Sequence, residues 1–263
     1  MPIRSKARIA WIVVGGALTA LAVIVTSVAV WIEATAVGET VETTLSSRAL
    51  TSPKIVVDAT GSVNVSVVPG QTGWLDLERS VSWIGLRPSV TEEWDGQTLR
   101  LGIRCPRVEP PDHPPACRAD YTLGLPVTTD VEVTTHSGTV GVNGIRGDLR
   151  LTTTTGDVMV RDTPGTLWVR SEEGSVDGVA LRSAKADVET GTGHAILEFS
   201  GPPTDVRTVV RTAGDVEVRV PEADGYDIRV DAAQTITKVR WNPEAPRRIT
   251  ALTREGELRI LPS

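Results

Sequence analysis

Three residues spaced along the chain have the chemistry of a hydrolytic relay. Ser175, His194 and Asp215 each follow a glycine, and those glycines fall 19 and 21 residues apart. If the intervening segments stack as successive turns ~4.8 Å apart, the three side chains become neighbours in one column. A nucleophile, a base and an orienting carboxylate are the parts of an acyl-transfer site. Such a site is defined by geometry and an oxyanion hole, and order along a chain supplies neither. The same column contains Thr139 and Asp157, so ordinary polar turn residues account for it equally. Asp157 and Asp215 would lie three turns apart, ~14 Å, beyond the separation of a glycosidase carboxylate pair.

Cys105 and Cys117 are the only cysteines. In an exported protein such a pair is expected to form a disulfide. A metal site that adds Asp112 and His113 is the alternative, but zinc motifs use closer cysteine pairs. No Gly-rich phosphate loop, HExxH, CxxC or GxSxG occurs. The sequence therefore points to no cofactor, no metal, no catalytic residue and no small-molecule substrate. Arg146-Gly147-Asp148 spells an integrin-binding tripeptide, yet it coincides with a repeated Gly-Asp turn.

The elements that position these residues follow a repeat. Gly138, Gly156, Gly174, Gly193 and Gly214 open short apolar runs at gaps of 18, 18, 19 and 21 residues. Gly147 and Gly165, 18 apart, form an interleaved series. Each half-repeat is a short strand and a Gly-centred turn, with Val140/Val142, Leu149/Leu151, Val158/Val160, Leu167/Val169, Val176 and Val216/Val218 facing inward. Thr139, Asp148, Arg150, Asp157, Arg161 and Arg170 face outward. The fold class is all-β: a single-stranded, right-handed-type β-solenoid with two short strands per ~18-residue coil. An antiparallel meander or sandwich has the same half-period and is the alternative. Upstream, Ile55/Val57, Val63/Val65/Val67 and Leu99/Leu101/Ile103 alternate as strands, with Trp74, Trp83 and Trp94 in a less regular stretch between. Thr128–Thr129, Thr134–Thr135 and Thr152–Thr155 are expected to stack as exposed ladders. The ends of a solenoid must be capped or paired, and Arg248–Leu252 with Glu257–Leu261 are expected to cap the C-terminal end.

The N-terminal segment differs from the rest. Arg4, Lys6 and Arg8 precede a run from Ile9 to Ile32 that carries no charge. A helix of that length rises ~36 Å, enough to cross a hydrocarbon core of ~30 Å. Trp11 and Trp31 stand near its ends, where indole rings prefer the interface. The basic flank predicts an N-terminus inside the cell. The expected organisation is a cytoplasmic tail (1–8), a transmembrane helix (9–32), a polar Thr/Glu-rich stalk (33–53) and an extracytoplasmic β-repeat domain (54–263). A cleaved signal peptide, with Ala34-Thr35-Ala36 as the site, is the competing reading; the apolar run is longer than its usual core.

Of 263 residues, 40% are hydrophobic and 23% charged, which argues against a disordered chain. Aromatic residues are only 4%, which fits a thin Val/Leu core. Setting aside Arg4, Lys6 and Arg8 leaves 24 of the 27 basic residues against 33 acidic ones, a net of −9. That balance gives no support to nucleic-acid binding, and binding an anionic wall polymer would need a local basic patch.

The stretch Tyr121–Pro126 (YTLGLP), followed by VEVTTHSGTVGV, GDLRL, TTTTGDVMV, GTLWV and TAGDVEV, resembles the bacterial "putative adhesin" family of β-strand-repeat domains of unknown function. The resemblance covers roughly residues 55–261 and is strongest over 121–220. The scarcity of lysine, confined to Lys6, Lys54, Lys185 and Lys238, looks actinobacterial-like. The resemblance implies a membrane-anchored surface protein of non-enzymatic binding or adhesion type, and it brings no catalytic residues. Its partner would be an envelope protein or a cell-wall polymer. A cell-envelope stress or assembly scaffold is the alternative, and a carbohydrate-active β-helix enzyme is a third reading.

Overall fold

The computed structural model describes residues 23–27, 39–106 and 117–263. Contacts divide the chain into residues 1–39 and a second unit, Thr40–Ser263. Within the first unit the described residues are a helical turn at 23–27 and Glu39. Most of the expected membrane span 9–32, and the tail 1–8, lie outside the described residues. Among the described residues no helix is long and apolar enough to cross a membrane.

The second unit is built of strands. The first six are β1 (Thr40–Ala49), β2 (Lys54–Pro69), β3 (Trp74–Trp83), β4 (Ser89–Trp94), β5 (Thr98–Arg104) and β6 (Cys117–Leu125). Shorter strands then alternate: β7 (Asp130–Ser137), β8 (Val140–Asn143), β9 (Leu149–Thr155), β10 (Val158–Arg161), β11 (Leu167–Glu173), β12 (Val176–Leu181), β13 (Lys185–Thr192), β14 (Ala195–Phe199), β15 (Asp205–Ala213) and β16 (Val216–Val220). The last four are β17 (Asp227–Asp231), β18 (Gln234–Thr237), β19 (Arg248–Glu255) and β20 (Glu257–Pro262).

Successive odd strands from β7 to β15 pair in parallel in one sheet, here sheet B, and even strands from β8 to β16 pair in parallel in sheet A. Each coil thus contributes one strand to each sheet, which is the solenoid expected from the repeat and not the meander. The inward residues of the two sheets meet in a Val/Leu core. Val140, Val158, Leu167, Val169, Val176 and Val216 are fully buried. Burying one such side chain stabilises the fold by about 1.5–3 kcal/mol, and every coil repeats the gain.

The glycines set the corner between the two sheets. Gly156 and Gly174 both have φ +143, and a Cβ on Gly174 would lie 2.1 Å from the Gly156 carbonyl oxygen. One coil's backbone therefore passes directly over the next at this corner. The N–H of Gly174 donates to Thr192 O at 3.0 Å, and that of Gly156 to Glu173 O at 2.8 Å.

Both ends depart from chain order. β2 is long enough to cross both sheets: Lys54–Thr60 pairs with β5 and β7 in sheet B, and Val63–Pro69 with β6 and β8 in sheet A. Gly61, φ +83, makes its bend. Beyond β6, sheet A continues antiparallel through β3 to β1, and sheet B ends antiparallel in β4. The stalk expected over 33–53 is corrected over its described part, because Thr40–Ala49 forms ten-residue β1 against β3, while residues 33–38 lie outside the described residues. Its β-branched, Ser/Thr-rich sequence reads as linker because most of its side chains stay exposed, as befits an edge strand.

The expected C-terminal cap is also corrected. β19 and β20 pair with β15 and β16 on one side and with β17 and β18 on the other. The outermost strands are β17 and β18, while the later segment fills the coil beneath them.

The Thr ladders divide by face. Thr134 and Thr152 lie outward in register, whereas Thr135 and Thr153 are buried. Ser171 and Thr190 continue the buried column, and Val210 interrupts it before Thr253. The Thr190 hydroxyl donates to Gly174 O at 2.8 Å, and that of Thr253 to Gly214 O at 2.7 Å. These hydroxyls occupy inward positions beside the glycine corner, where carbonyls turn inward and need a donor.

Candidate functional site: the outward faces and the turn column

The column Thr139, Asp157, Ser175, His194, Asp215 forms as the register predicts. Asp157 Oδ1 accepts a hydrogen bond from Ser175 N–H at 2.8 Å, and Ser175 Oγ accepts one from His194 N–H at 3.2 Å. His194 Nδ1 accepts from Asp215 N–H at 3.1 Å, and Asp215 Oδ1 accepts from Glu257 N–H at 2.8 Å. Asn64 heads the column, accepting from Thr139 N–H at 2.8 Å and donating to Asp120 at 2.6 Å. Asn64, Asp157, Ser175, His194 and Asp215 thus each satisfy the opening amide of the next coil.

That use conflicts with a relay. In a Ser-His-Asp site Nδ1 donates its proton to the carboxylate. Here Nδ1 is an acceptor, so it carries no proton to give Asp215, although Asp215 Oδ2 is 3.6 Å away. Asp148 plays the same turn role at the other corner: its Oδ1 accepts from Thr166 N–H at 2.7 Å. The Arg146-Gly147-Asp148 tripeptide is therefore part of a coil turn.

Cys105 and Cys117 are disulfide-bonded, with Cα atoms 5.7 Å apart. The bond joins the end of β5 in sheet B to the start of β6 in sheet A. His113 and Asp112 fall outside the described residues. Among the described residues no cluster of His, Cys, Asp or Glu is suited to a metal.

The outward face of sheet B carries the densest polar chemistry. Strand register places Glu132, Arg150, Trp168, Asp187 and Arg207 in one row, each on a successive coil. Arg150 stacks on the Trp168 indole with its guanidinium carbon 3.6 Å from the ring centroid, and Arg170 does so at 4.3 Å. Cation–π contacts at such sites stabilise by about 0.5–2 kcal/mol. Arg170 also donates to Asp187 Oδ2 at 2.7 Å. Arg207 donates to Asp187 at 2.8 Å and to Glu189 at 3.1 Å, and Arg211 is 3.4 Å from Glu189. Lys54 closes the other end on Glu132 at 2.7 Å. Beside the stack, Lys54, Glu132, Asp148, Arg150 and Trp168 line a shallow hollow of about 230 Å³. Sequence reasoning found Arg150 and Arg170 as outward positions but missed Trp168 as their common platform. The signal was there: Trp168 falls at an outward position of its half-repeat.

Burial works against charge on Asp187, but hydrogen bonds from Arg170 and Arg207 outweigh it and hold its carboxyl below the usual range. A carboxyl depressed in the folded state adds stability above its unfolded pKa of ~3.9 and loses it as pH falls through the folded value. Asp187→Asn is therefore expected to lose less of its melting temperature than the parent chain as the pH falls from about 5 to about 2. Thermal melts across that range check this; parallel acid-side curves would refute it.

The outward face of sheet A is different. Met159, Val179 and Ile196 are exposed, and Gly141 leaves a trough beside Met159.

A scan of known protein families finds no match, and no curated protein matches the chain. Among solved structures, the fold is similar to a "putative adhesin" from Bacteroides fragilis, with TM-score 0.50 and 13% identity over 84% of this chain and 97% of that one. A "putative cell adhesion protein" from Clostridium sporogenes aligns over 84% of this chain and 100% of its own, with 11% identity and TM-score 0.31. At these identities the first likeness speaks for the fold alone, and the second carries no argument.

Proposed function

We propose that this chain is a membrane-anchored, extracytoplasmic binding protein of the adhesion type that works by surface recognition and not by catalysis. In this reading the apolar run 9–32 is the single-pass anchor, the N-terminus is cytoplasmic, and the repeat domain faces the cell envelope. The basic flank at Arg4, Lys6 and Arg8 supports the orientation. The Cys105–Cys117 bond supports an oxidising compartment.

The observation that carries the reading is the Arg150–Trp168–Arg170 stack on the outward face of sheet B. An aromatic platform held between guanidinium groups, on a surface of paired charges, suits a polar polymer or a protein face. The turn column, by contrast, has its acceptors committed to backbone amides.

Retention of the full-length chain, solubilised in detergent, on cell-wall fractions and on membrane-protein extracts tests the reading. Trp168→Ala is expected to weaken retention about tenfold, as for a central interface aromatic. Retention should also fall with salt if Arg150 and Arg170 carry it. A specific membrane protein recovered through the same residue would favour an assembly scaffold. Equal retention of parent and Trp168→Ala, or none above background, would overturn the assignment of this face.

A further inference from the structure

We propose that β1 is a dimerisation strand that pairs antiparallel with β1 of a second copy of this chain, with Leu45 on the two-fold axis. Among the described residues β1 pairs only with β3, and no described strand covers its other edge. The remaining end strands are shorter: β4 has six residues, β17 five and β18 four. β1 has ten, and Glu42 and Arg48 are its only charges. A long edge without charges on its outward face is a template for strand addition.

The hydrogen-bonding parity of that edge can be read. Leu50 N–H donates to Gly73 O at 2.9 Å, which continues the β1–β3 register by one residue. In an antiparallel ladder such pairs alternate. The backbone groups of Glu42, Thr44, Ser46 and Arg48 therefore face β3, and those of Val41, Thr43, Leu45, Ser47 and Ala49 face the open edge.

The sequence of β1 is self-complementary about Leu45. Antiparallel pairing centred there sets Val41 against Ala49, Thr43 against Ser47 and Leu45 against itself, all on the outward face. On the inner face it sets Glu42 against Arg48 twice. Glu42 already contacts Arg87, and Arg48 contacts Glu92 at 2.5 Å, so the dimer would extend an alternating row of charges across the axis. Shifting the pairing by two residues moves Glu42 off Arg48, and shifting by one turns every side chain to the wrong face. Leu45 is 75% exposed and Val41 59%, and the pairing covers both. Self-pairing of an identical patch closes as a two-fold dimer and leaves no open strand edge at that side of sheet A.

Cysteine substitution in the full-length chain, in membranes or detergent, tests both the pairing and its register. The two Leu45 Cα atoms in such a hydrogen-bonded pair stand ~5.5 Å apart, within disulfide reach. Leu45→Cys is expected to yield a disulfide-linked dimer on mild oxidation. Ser47→Cys is not, because its own counterpart lies four residues along, ~13 Å away. Leu45→Glu places two carboxylates on the axis and is expected to sediment as a monomer with an unchanged circular dichroism spectrum. Equal cross-linking by both cysteine variants would overturn the register. A parent chain that sediments as a monomer throughout the micromolar range, or a Leu45→Cys chain that links only to a different protein, would overturn the self-pairing.

Discussion

Gly174→Ala is expected to destabilise the β-solenoid by on the order of 4 kcal/mol, at the severe end for a single methyl group. Two costs combine at this corner. The backbone sits at φ +143, where a Cβ is strained, and the new atom would lie 2.1 Å from the Gly156 carbonyl oxygen. The strained conformation alone costs about 1–3 kcal/mol. The clash adds to it, because a carbonyl cannot swing aside as a side chain can. Relief requires prising apart two coils, which gives up ladder bonds in both sheets. Gly96 separates the two costs: it has φ +100 but open space around its Cβ position. Gly96→Ala is expected to lose only the conformational part, about 1 kcal/mol. Urea unfolding followed by circular dichroism compares the variants. Equal midpoints for the two would show that the close coil-to-coil approach carries no weight.

Removing the Cys105–Cys117 bond is the second large effect expected. Loop-closure entropy for a loop of this size gives up to about 3 kcal/mol. The intervening sequence PRVEPPDHPPA already restricts the unfolded chain through its prolines, so the loss should fall below that figure. The bond joins β5 to β6 in two different sheets, so it ties the sheets together at the N-terminal end of the repeat. Loss of Cys105 and Cys117, both replaced by alanine, is expected to lower the unfolding midpoint. It should also increase amide exchange first in β5, β6 and β3. Uniform exchange across all coils would place the stabilisation elsewhere.

How much of this was legible in the sequence follows from the physics of each position. The glycine spacing revealed the coils because a corner where backbones touch admits no side chain, so Gly138, Gly156 and Gly174 recur. The inward Val and Leu residues were equally plain, since alternation is the period of a strand. The polar column was legible as a register but not as a role: whether His194 Nδ1 donates or accepts depends on where the next coil's amide falls. Thr135 and Thr153 misled because threonine suits either face of a strand, and its hydroxyl does not bar it from the core: both are buried without a hydrogen-bond partner. β1 was hidden by its polar exposure. The order of β17–β20 could not be read, because pairing between segments that skip a coil leaves no local periodicity.

That last feature governs how the molecule can be completed during synthesis. The ribosome delivers β17 and β18 before β19 and β20, yet they belong outside them. Until the chain through Pro262 has emerged, the outer pair has no neighbour to dock on, and Val206, Val216 and Val218 lack the inward packing of Ile249, Leu258 and Ile260 from the adjoining coil. A premature stop before Arg248 would therefore delete an interior layer and strand the outer one. Quality-control proteases would meet such a fragment with an exposed apolar end, so truncation is signalled far more strongly than the loss of a terminal layer would be.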